Sequence, residues 1–160
     1  MRLLCDRMLA RLARWLRAAG HDAALAETGE TAADIVARCR AEDRVLITRS
    51  PRLASAAGAA VRCCLLADDD AGAQALHLAQ ALGLDWLAAP LTRCVADNAP
   101  LRPAREAERA RMPPTARALA GPFNACPVCG RIFWPGSHAR RMTARLARWA
   151  QAARAPSELL

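Results

Sequence analysis

Leu3-Leu-Cys5-Asp6-Arg7-Met8-Leu9-Ala-Arg11-Leu12-Ala-Arg14-Trp15-Leu16-Arg17-Ala-Ala-Gly20 is the stretch that decides the fold. Leu3 to Cys5 is an apolar run too short for a helix and reads as a buried strand, with Asp6 at its end. From residue 7 the period changes. Met8, Leu9, Leu12, Trp15 and Leu16 share one arc at about 100° per residue, and Arg7, Arg11, Arg14 and Arg17 share the other, which predicts an amphipathic helix over residues 7–19. The arginine arc reads as a solvated face. Gly20 stops the helix.

The same strand-then-helix unit recurs downstream. Residues 21–26 form a second strand, and Thr31 opens a helix to about residue 41. Val45-Leu-Ile-Thr48 is a third strand, and Pro51 begins a short helix over 52–58. Val61 to Leu66 is a fourth strand, Asp68-Asp-Asp70 a turn and cap, and residues 71–83 a further helix. Alternation of this kind predicts an α/β fold with an open parallel sheet flanked by helices on both faces. Periodicity is lost after Ala88-Ala-Pro90, and the prolines of residues 99–124 read as a loop arm. Residues 139–153 return to a helix, with Met142, Leu146 and Trp149 on one side and Arg140, Arg141, Arg145 and Arg148 mostly away from it. The expected division is a sheet domain over 1–88, a small metal-stapled module over 92–138, and a helix with a tail over 139–160.

The metal reading rests on Cys126-Pro-Val-Cys129-Gly130, a knuckle that brings two thiolates to one ion and points to a zinc ribbon. The second ligand pair is Cys94 and Asp97, so the predicted Zn²⁺ site is Cys94, Asp97, Cys126 and Cys129. His138, nine residues past Cys129, is a less favoured fourth ligand because its spacing is long. The competing reading is a vestigial ribbon whose thiols pack as small apolar groups. The remaining cysteines, Cys5, Cys39, Cys63 and Cys64, read as buried small residues. Seven cysteines, two of them adjacent, do not form a secreted disulfide framework. With no long apolar run and a charged start, the expectation is a cytoplasmic protein without a membrane span.

An apolar fraction of 54% is ample for a core, and with aromatics at only 4% that core must pack small side chains. All 23 basic residues are arginine. Residues 1–92 carry 11 of them against 11 acids, whereas residues 93–160 carry 12 against 4, so the whole surplus of +8 lies with the metal module. A coding bias toward arginine explains its use in place of lysine but not the segregation. A basic module beside a neutral one points to a polyanion, most simply a nucleic acid.

In an open parallel sheet, ligands gather at the carboxyl ends of the strands. Asp6, Arg49-Ser50 and Asp68 to Asp70 stand there, and Asp34, in the first turn of its helix, can swing toward the same rim. Converging carboxylates suit Mg²⁺ or Mn²⁺ and phosphodiester hydrolysis. Thr31-Ala-Ala-Asp34 is also a capping-box pattern, and the Asp68 triplet also favours a helix N-terminus. Asp6 has no such structural alternative.

The opening Asp6-Arg-Met-Leu-Ala-Arg-Leu-Ala-Arg-Trp-Leu-Arg17, Gly20-His-Asp22, Asp34, Val45-Leu-Ile-Thr-Arg49 and Cys-x-x-Cys-Gly with Phe133-Trp134-Pro-Gly-Ser-His138 together resemble the Mut-seven C-terminal RNase family, a PIN-like nuclease domain fused to a zinc ribbon. The likeness runs from about Met1 to Met142. It implies a metal-dependent ribonuclease whose acids carry over as Asp6 and Asp34, with Asp22 and Gln74 also matching, and a ribbon that holds RNA. It also implies pairing of two copies into a homodimer. Two positions depart from the family pattern. Ser50 stands where an aspartate is expected, removing one anion from the catalytic set, for which Asp69 is the nearby substitute. Asp97 stands where a cysteine is expected.

The leading expectation is therefore a divalent-metal RNase with Asp6, Asp34, Ser50 and Asp69 at its centre. Arg11, Arg14, Arg49, Arg131, Arg140 and Arg141 are the candidate contacts to RNA. The alternative is an RNA-binding protein on a degenerate nuclease fold, silenced at Ser50. A protein-interaction module without nucleic acid would leave the +8 of residues 93–160 unexplained.

Overall fold

Four short apolar runs assemble into one parallel sheet. The computed structural model describes residues 1–155; residues 156–160, the end of the expected tail, lie outside the described residues. Strands β1 (Arg2–Cys5), β2 (Asp22–Leu25), β3 (Val45–Thr48) and β4 (Cys63–Leu65) lie in the order β2-β1-β3-β4, all parallel. Each connection is a helix: α1 (Ala10–Ala18) after β1, α2 (Ala32–Ala41) after β2, α3 (Pro51–Ala57) after β3 and α4 (Ala71–Leu82) after β4. The α/β reading of the sequence holds, including its parallel sheet flanked by helices.

Alternation along each strand sorts the core into two layers. Leu3, Cys5, Ile47 and Cys64 face α1 and α4, where Leu12, Leu16, Ala75 and Leu78 are fully or nearly fully buried. Leu4, Ala24 and Leu46 face α2 and α3 through Ile35, Cys39 and Leu53. Burying each such leucine contributes about 1.5–3 kcal/mol, so the first layer, with more side chains, holds most of the fold. Helix α7 (Ser137–Arg154) joins that layer, adding Leu146 and Ala150 to the core. Trp149 from α7 meets Trp15 and Trp86 edge-to-face, with ring centroids 5.1 and 4.9 Å away. Trp86 is anchored in turn by its Nε1, which donates to the Ala75 carbonyl at 3.0 Å.

Three differences from the sequence reading have physical causes. The helix expected over 7–19 begins as a 3₁₀ turn, Arg7–Leu9, and Arg17 does not sit on a solvated face. Its side chain is buried: Nε donates to the Ala23 carbonyl at 2.8 Å, and Nη1 to the carbonyls of Val95 (3.2 Å) and Ala96 (2.5 Å). The expected loop arm over 99–124 holds short structure: β5 (Arg102–Pro103), α5 (Glu106–Arg109), α6 (Pro114–Arg117) and the start of β6 (Asn124–Ala125). Glu108 orders this arm by accepting from both terminal nitrogens of Arg102 and from the Arg105 amide. The last helix starts two residues earlier than expected, at Ser137. With β7 (Ile132–Phe133), β5 and β6 form a second, antiparallel sheet of order β5-β6-β7.

The chain leaves the first sheet through a close crossing. Gly20, at φ +95°, ends α1, and the amides of Ala89 and Leu91 donate to the carbonyls of Ala19 and Ala18 at 3.1 and 2.8 Å. A Cβ on Gly20 would stand 2.3 Å from the Ala89 carbonyl oxygen, so only glycine fits here. This crossing delivers residues 92–98 to the open edge of β2.

Candidate active site and metal centre

Two turns of the same design hold the candidate metal ligands. In Cys94-Val-Ala-Asp97-Asn98 the Asn98 amide donates to the Cys94 carbonyl at 2.9 Å. In Cys126-Pro-Val-Cys129-Gly130 the Gly130 amide donates to the Cys126 carbonyl at 3.0 Å. The fifth residue of each lies in the left-handed region, Asn98 at φ 68° and Gly130 at φ 69°. That conformation explains the residue types, because glycine and asparagine enter it at least cost.

The turns face each other and gather four ligand atoms, all within 4.8 Å of one another. Cys94 Sγ lies 3.8 Å from Cys129 Sγ, and Asp97 Oδ2 lies 3.4 Å from Cys94 Sγ and 3.2 Å from Cys126 Sγ. A tetrahedral zinc with bonds of about 2.3 Å to sulfur and about 2.0 Å to oxygen sets edges of about 3.8 Å (S to S) and about 3.5 Å (O to S). The set fits a zinc-sized ion. The hydrogen bond to Asp97, with burial second, pushes the Cys129 thiol up to about 12, and burial raises Cys94. The bonds from Cys129 and Cys126 hold Asp97 below the usual carboxylate range. His138 is exposed on the first turn of α7 and does not join the cluster.

The metal turn is fastened to the first sheet. Asn98 Oδ1 accepts from the Ala23 amide on the outer edge of β2 at 3.0 Å, and its Nδ2 donates to Asp22 Oδ1 at 2.6 Å. Arg17 takes the Ala23 carbonyl. Both edge groups of Ala23 are thus satisfied by side chains, which closes an otherwise open strand. Arg44 holds Asp22 from the other side with two bonds, at 2.8 and 3.2 Å. Burial opposes ionisation of Asp22, but the bonds from Arg44 and Asn98 outweigh it and draw its pKa down to about 2.

At the carboxyl rim of the parallel sheet, Asp6 is half-buried at the end of β1 and its amide donates to the Ile47 carbonyl at 2.8 Å. The hydroxyl of buried Thr48, at the end of β3, donates to Asp6 Oδ2 at 2.7 Å and accepts from the Ser50 amide at 2.9 Å. The Ser50 side chain caps α3, accepting from the Leu53 amide at 3.2 Å. Asp6, Thr48 and Ser50 are therefore one hydrogen-bonded chain.

Arg49 pairs with exposed Asp69, while Asp70 caps α4 by accepting from the amides of Gly72 and Ala73. Asp34 is exposed and fully engaged in its capping box, its Oδ2 accepting from the amide and hydroxyl of Thr31, which hold its pKa below the usual range. Buried Gln74 donates to the Asp68 carbonyl at 2.8 Å, fixing the loop after β4. Among the described residues, only the Cys94, Asp97, Cys126, Cys129 set brings three or more Cys, His or carboxylate ligands together.

Among the candidate RNA contacts, Arg11, Arg14, Arg131, Arg140 and Arg141 are exposed and Arg49 is half-buried. Arg140 donates to the Pro135 carbonyl at 3.0 Å.

The family model of the Mut7-C RNAse domain matches residues 1–146, from β1 through both metal turns and into α7. The chain belongs to this family. No curated protein and no solved structure matches it. The Mut7-C match joins the first sheet and the metal turns in one unit, as the Asn98 and Arg17 bonds do physically. An RNase domain makes RNA the substrate or partner class of this Mut7-C chain. Among the described residues no helix is long and apolar enough to cross a membrane.

Thr48, Arg17 and Arg44 are site residues the sequence reading did not single out. For Thr48 a signal existed: a hydroxyl closing an otherwise apolar strand one turn before a helix. For Arg17 and Arg44 there was none, since their partners are carbonyls and a carboxylate from distant segments.

Proposed function

We propose that this Mut7-C chain is a divalent-metal-dependent ribonuclease, in which a PIN-like sheet carries the reaction and a zinc ribbon over residues 92–138 binds RNA. One observation carries the reading: Asp6 stands half-buried at the carboxyl end of β1, oriented by Thr48, in a chain matched by an RNase domain model. Thr48 occupies Oδ2 and leaves Oδ1 for a Mg²⁺ or Mn²⁺ ion, both of which take oxygen ligands. Such an ion would supply positive charge against the phosphate and acidify a water for attack on phosphorus. Asp34, which now caps α2 through Thr31, and Asp69, which now pairs with Arg49, are the further carboxylates that would hold the ion. Arg11, Arg14 and Arg49 bind phosphates beside the rim, and Arg131, Arg140 and Arg141 bind them along the ribbon. The seven free cysteines fit a reducing compartment, and the reading includes a cytoplasmic protein that pairs with a second copy.

A second reading, an RNA-binding protein with silenced chemistry, is favoured by Ser50. Its hydroxyl caps α3, so the end of β3 offers Asp6 no companion carboxylate. The deciding experiment is hydrolysis of a mixed set of single-stranded and structured RNAs with Mn²⁺ or Mg²⁺, comparing wild type, Asp6→Asn and Ser50→Asp. Cleavage by wild type that Asp6→Asn abolishes establishes the first reading. Binding without cleavage, with cutting restored by Ser50→Asp, establishes the second. A zinc-loaded chain that neither binds nor cuts RNA refutes both.

A further inference from the structure

Between the second sheet and the start of α7 lies an apolar cleft of about 400 Å³. Its walls are Val95, Ile132, Phe133, Trp134 and Met142, and polar groups of Asn124 and His138 stand at its margin. It is separate from the four metal ligands and from the rim at Asp6. Trp134 is half-buried and held by its own turn: the Gly136 amide donates to the Trp134 carbonyl at 2.7 Å, and a Cβ on Gly136 would stand 2.8 Å from the indole nitrogen. Gly121 packs equally closely on Pro135, where an added Cβ would meet Cγ at 2.8 Å. The ring is thus fixed from the backbone.

What this cleft accepts follows from what surrounds it. Between Glu108 and Glu158 the chain has nine arginines and no acid. Arg93 lines the cleft, Arg140 lies at its lip on the Pro135 carbonyl, and Arg131 and Arg141 are exposed on the flanking segments. The start of α7, an 18-residue helix without a side-chain cap, opens beside it and adds positive potential. An apolar peptide would gain nothing from this charge. A nucleotide satisfies both features, with a flat base against aromatic walls and a phosphate among the arginines. The base must be unpaired, because a paired base cannot leave its stack without added cost.

We infer that this cleft takes a single unpaired base of the RNA, stacked on Trp134 or Phe133, and so makes the ribbon a reader of single strands. The inference rests on the RNA-binding reading of the ribbon and adds a place and a preference to it.

The test uses the zinc-loaded full chain carrying Asp6→Asn, so that bound RNA survives, and fluorescence anisotropy with three labelled probes. These are a single-stranded octanucleotide, a blunt duplex of the same length, and a single-stranded octamer in which the bases are replaced by abasic ribose. The single strand is expected to bind about 5- to 150-fold more tightly than the abasic probe, the range for loss of one stacked base. Trp134→Ala should remove most of that difference while leaving abasic binding and its salt dependence unchanged. Met142→Trp, which fills the cleft, should act like Trp134→Ala. The abasic comparison needs no substitution in the cleft and stands even if Trp134→Ala misfolds. Equal affinity for all three probes overturns the base cleft and leaves RNA binding intact, whereas no affinity for any probe overturns both.

Discussion

Asn98→Ala tests how the metal turn and the parallel sheet hold each other. The substitution leaves the buried Ala23 amide without an acceptor, at a cost of about 1–3 kcal/mol, and removes a charge-assisted donor from Asp22. It also puts alanine at φ 68°, which adds about 1 kcal/mol. These overlap, since water reaches part of the site once the side chain is gone, so the expected loss is about 3 kcal/mol. For a chain of this size each kcal/mol lowers Tm by about 2–4 °C, giving a fall of about 6–12 °C. Thermal unfolding followed by circular dichroism in excess zinc reads it. Asn98→Gly, which keeps the backbone comfortable but loses both hydrogen bonds, should recover about 1 kcal/mol of the loss. If Asn98→Ala melts within about 1 °C of wild type, the side-chain closure of β2 contributes nothing and the coupling argument fails.

Gly20→Ala should be more damaging than an ordinary surface change, by about 3 kcal/mol or more, because both its φ and the Ala89 carbonyl reject a Cβ; urea unfolding measures it. Titration with Co²⁺ as a zinc analogue should give thiolate-to-metal absorption at one equivalent, and Asp97→Ala should weaken binding at least tenfold while Asp97→Cys tightens it. Stability should fall on acidification in two steps. Burial depresses the pKa of His21, so the unfolded chain takes up that proton first and stability begins to drop below about pH 6.5. Asp22 is also depressed, to about 2, so its contribution is complete above about pH 4 and is lost as pH falls toward 2, removing about 1 kcal/mol after allowance for solvent screening. Asp22→Asn should reduce the second step, to which Glu108 and the other depressed carboxylates also contribute, and leave the first unchanged.

Much of this architecture could be read from local pattern. Leu3-Leu-Cys5 and Val45-Leu-Ile-Thr48 are strands because their apolar runs are short and bounded, and Thr31 with Asp34 forms the capping box that its spacing predicts. The Cys126 and Cys129 knuckle pointed to the cluster that could hold an ion, and Asp97, three residues after Cys94, lies in it. What escaped was what depends on distant partners. Arg17 has the period of a solvated residue, and only the carbonyls of Val95 and Ala96, delivered by the crossing at Gly20, make it a buried one. Strands of two residues, such as Ile132–Phe133, carry no periodicity to detect. At the rim, pattern found Asp6 but not the Thr48 hydroxyl that orients it, because strand order decides which chain ends become neighbours.

The placement of Leu146, Ala150 and Trp149 in the same layer as β1 has a consequence for biosynthesis. The parallel sheet is fully made once Leu65 has left the ribosome and α4 soon covers it beside α1, yet the Trp15 and Trp86 rings and the seat of α7 stay without Leu146 and Trp149 until about 80 residues later. At roughly 5–20 residues per second that interval lasts roughly 4–16 s. During it, Cys94, Cys126 and Cys129 emerge and can capture an ion before α7 has taken its place. The nascent chain therefore exposes the apolar seat of α7, with the Trp15 and Trp86 rings, through the whole synthesis of its metal turns, and a chaperone that shields such patches has its longest opportunity there.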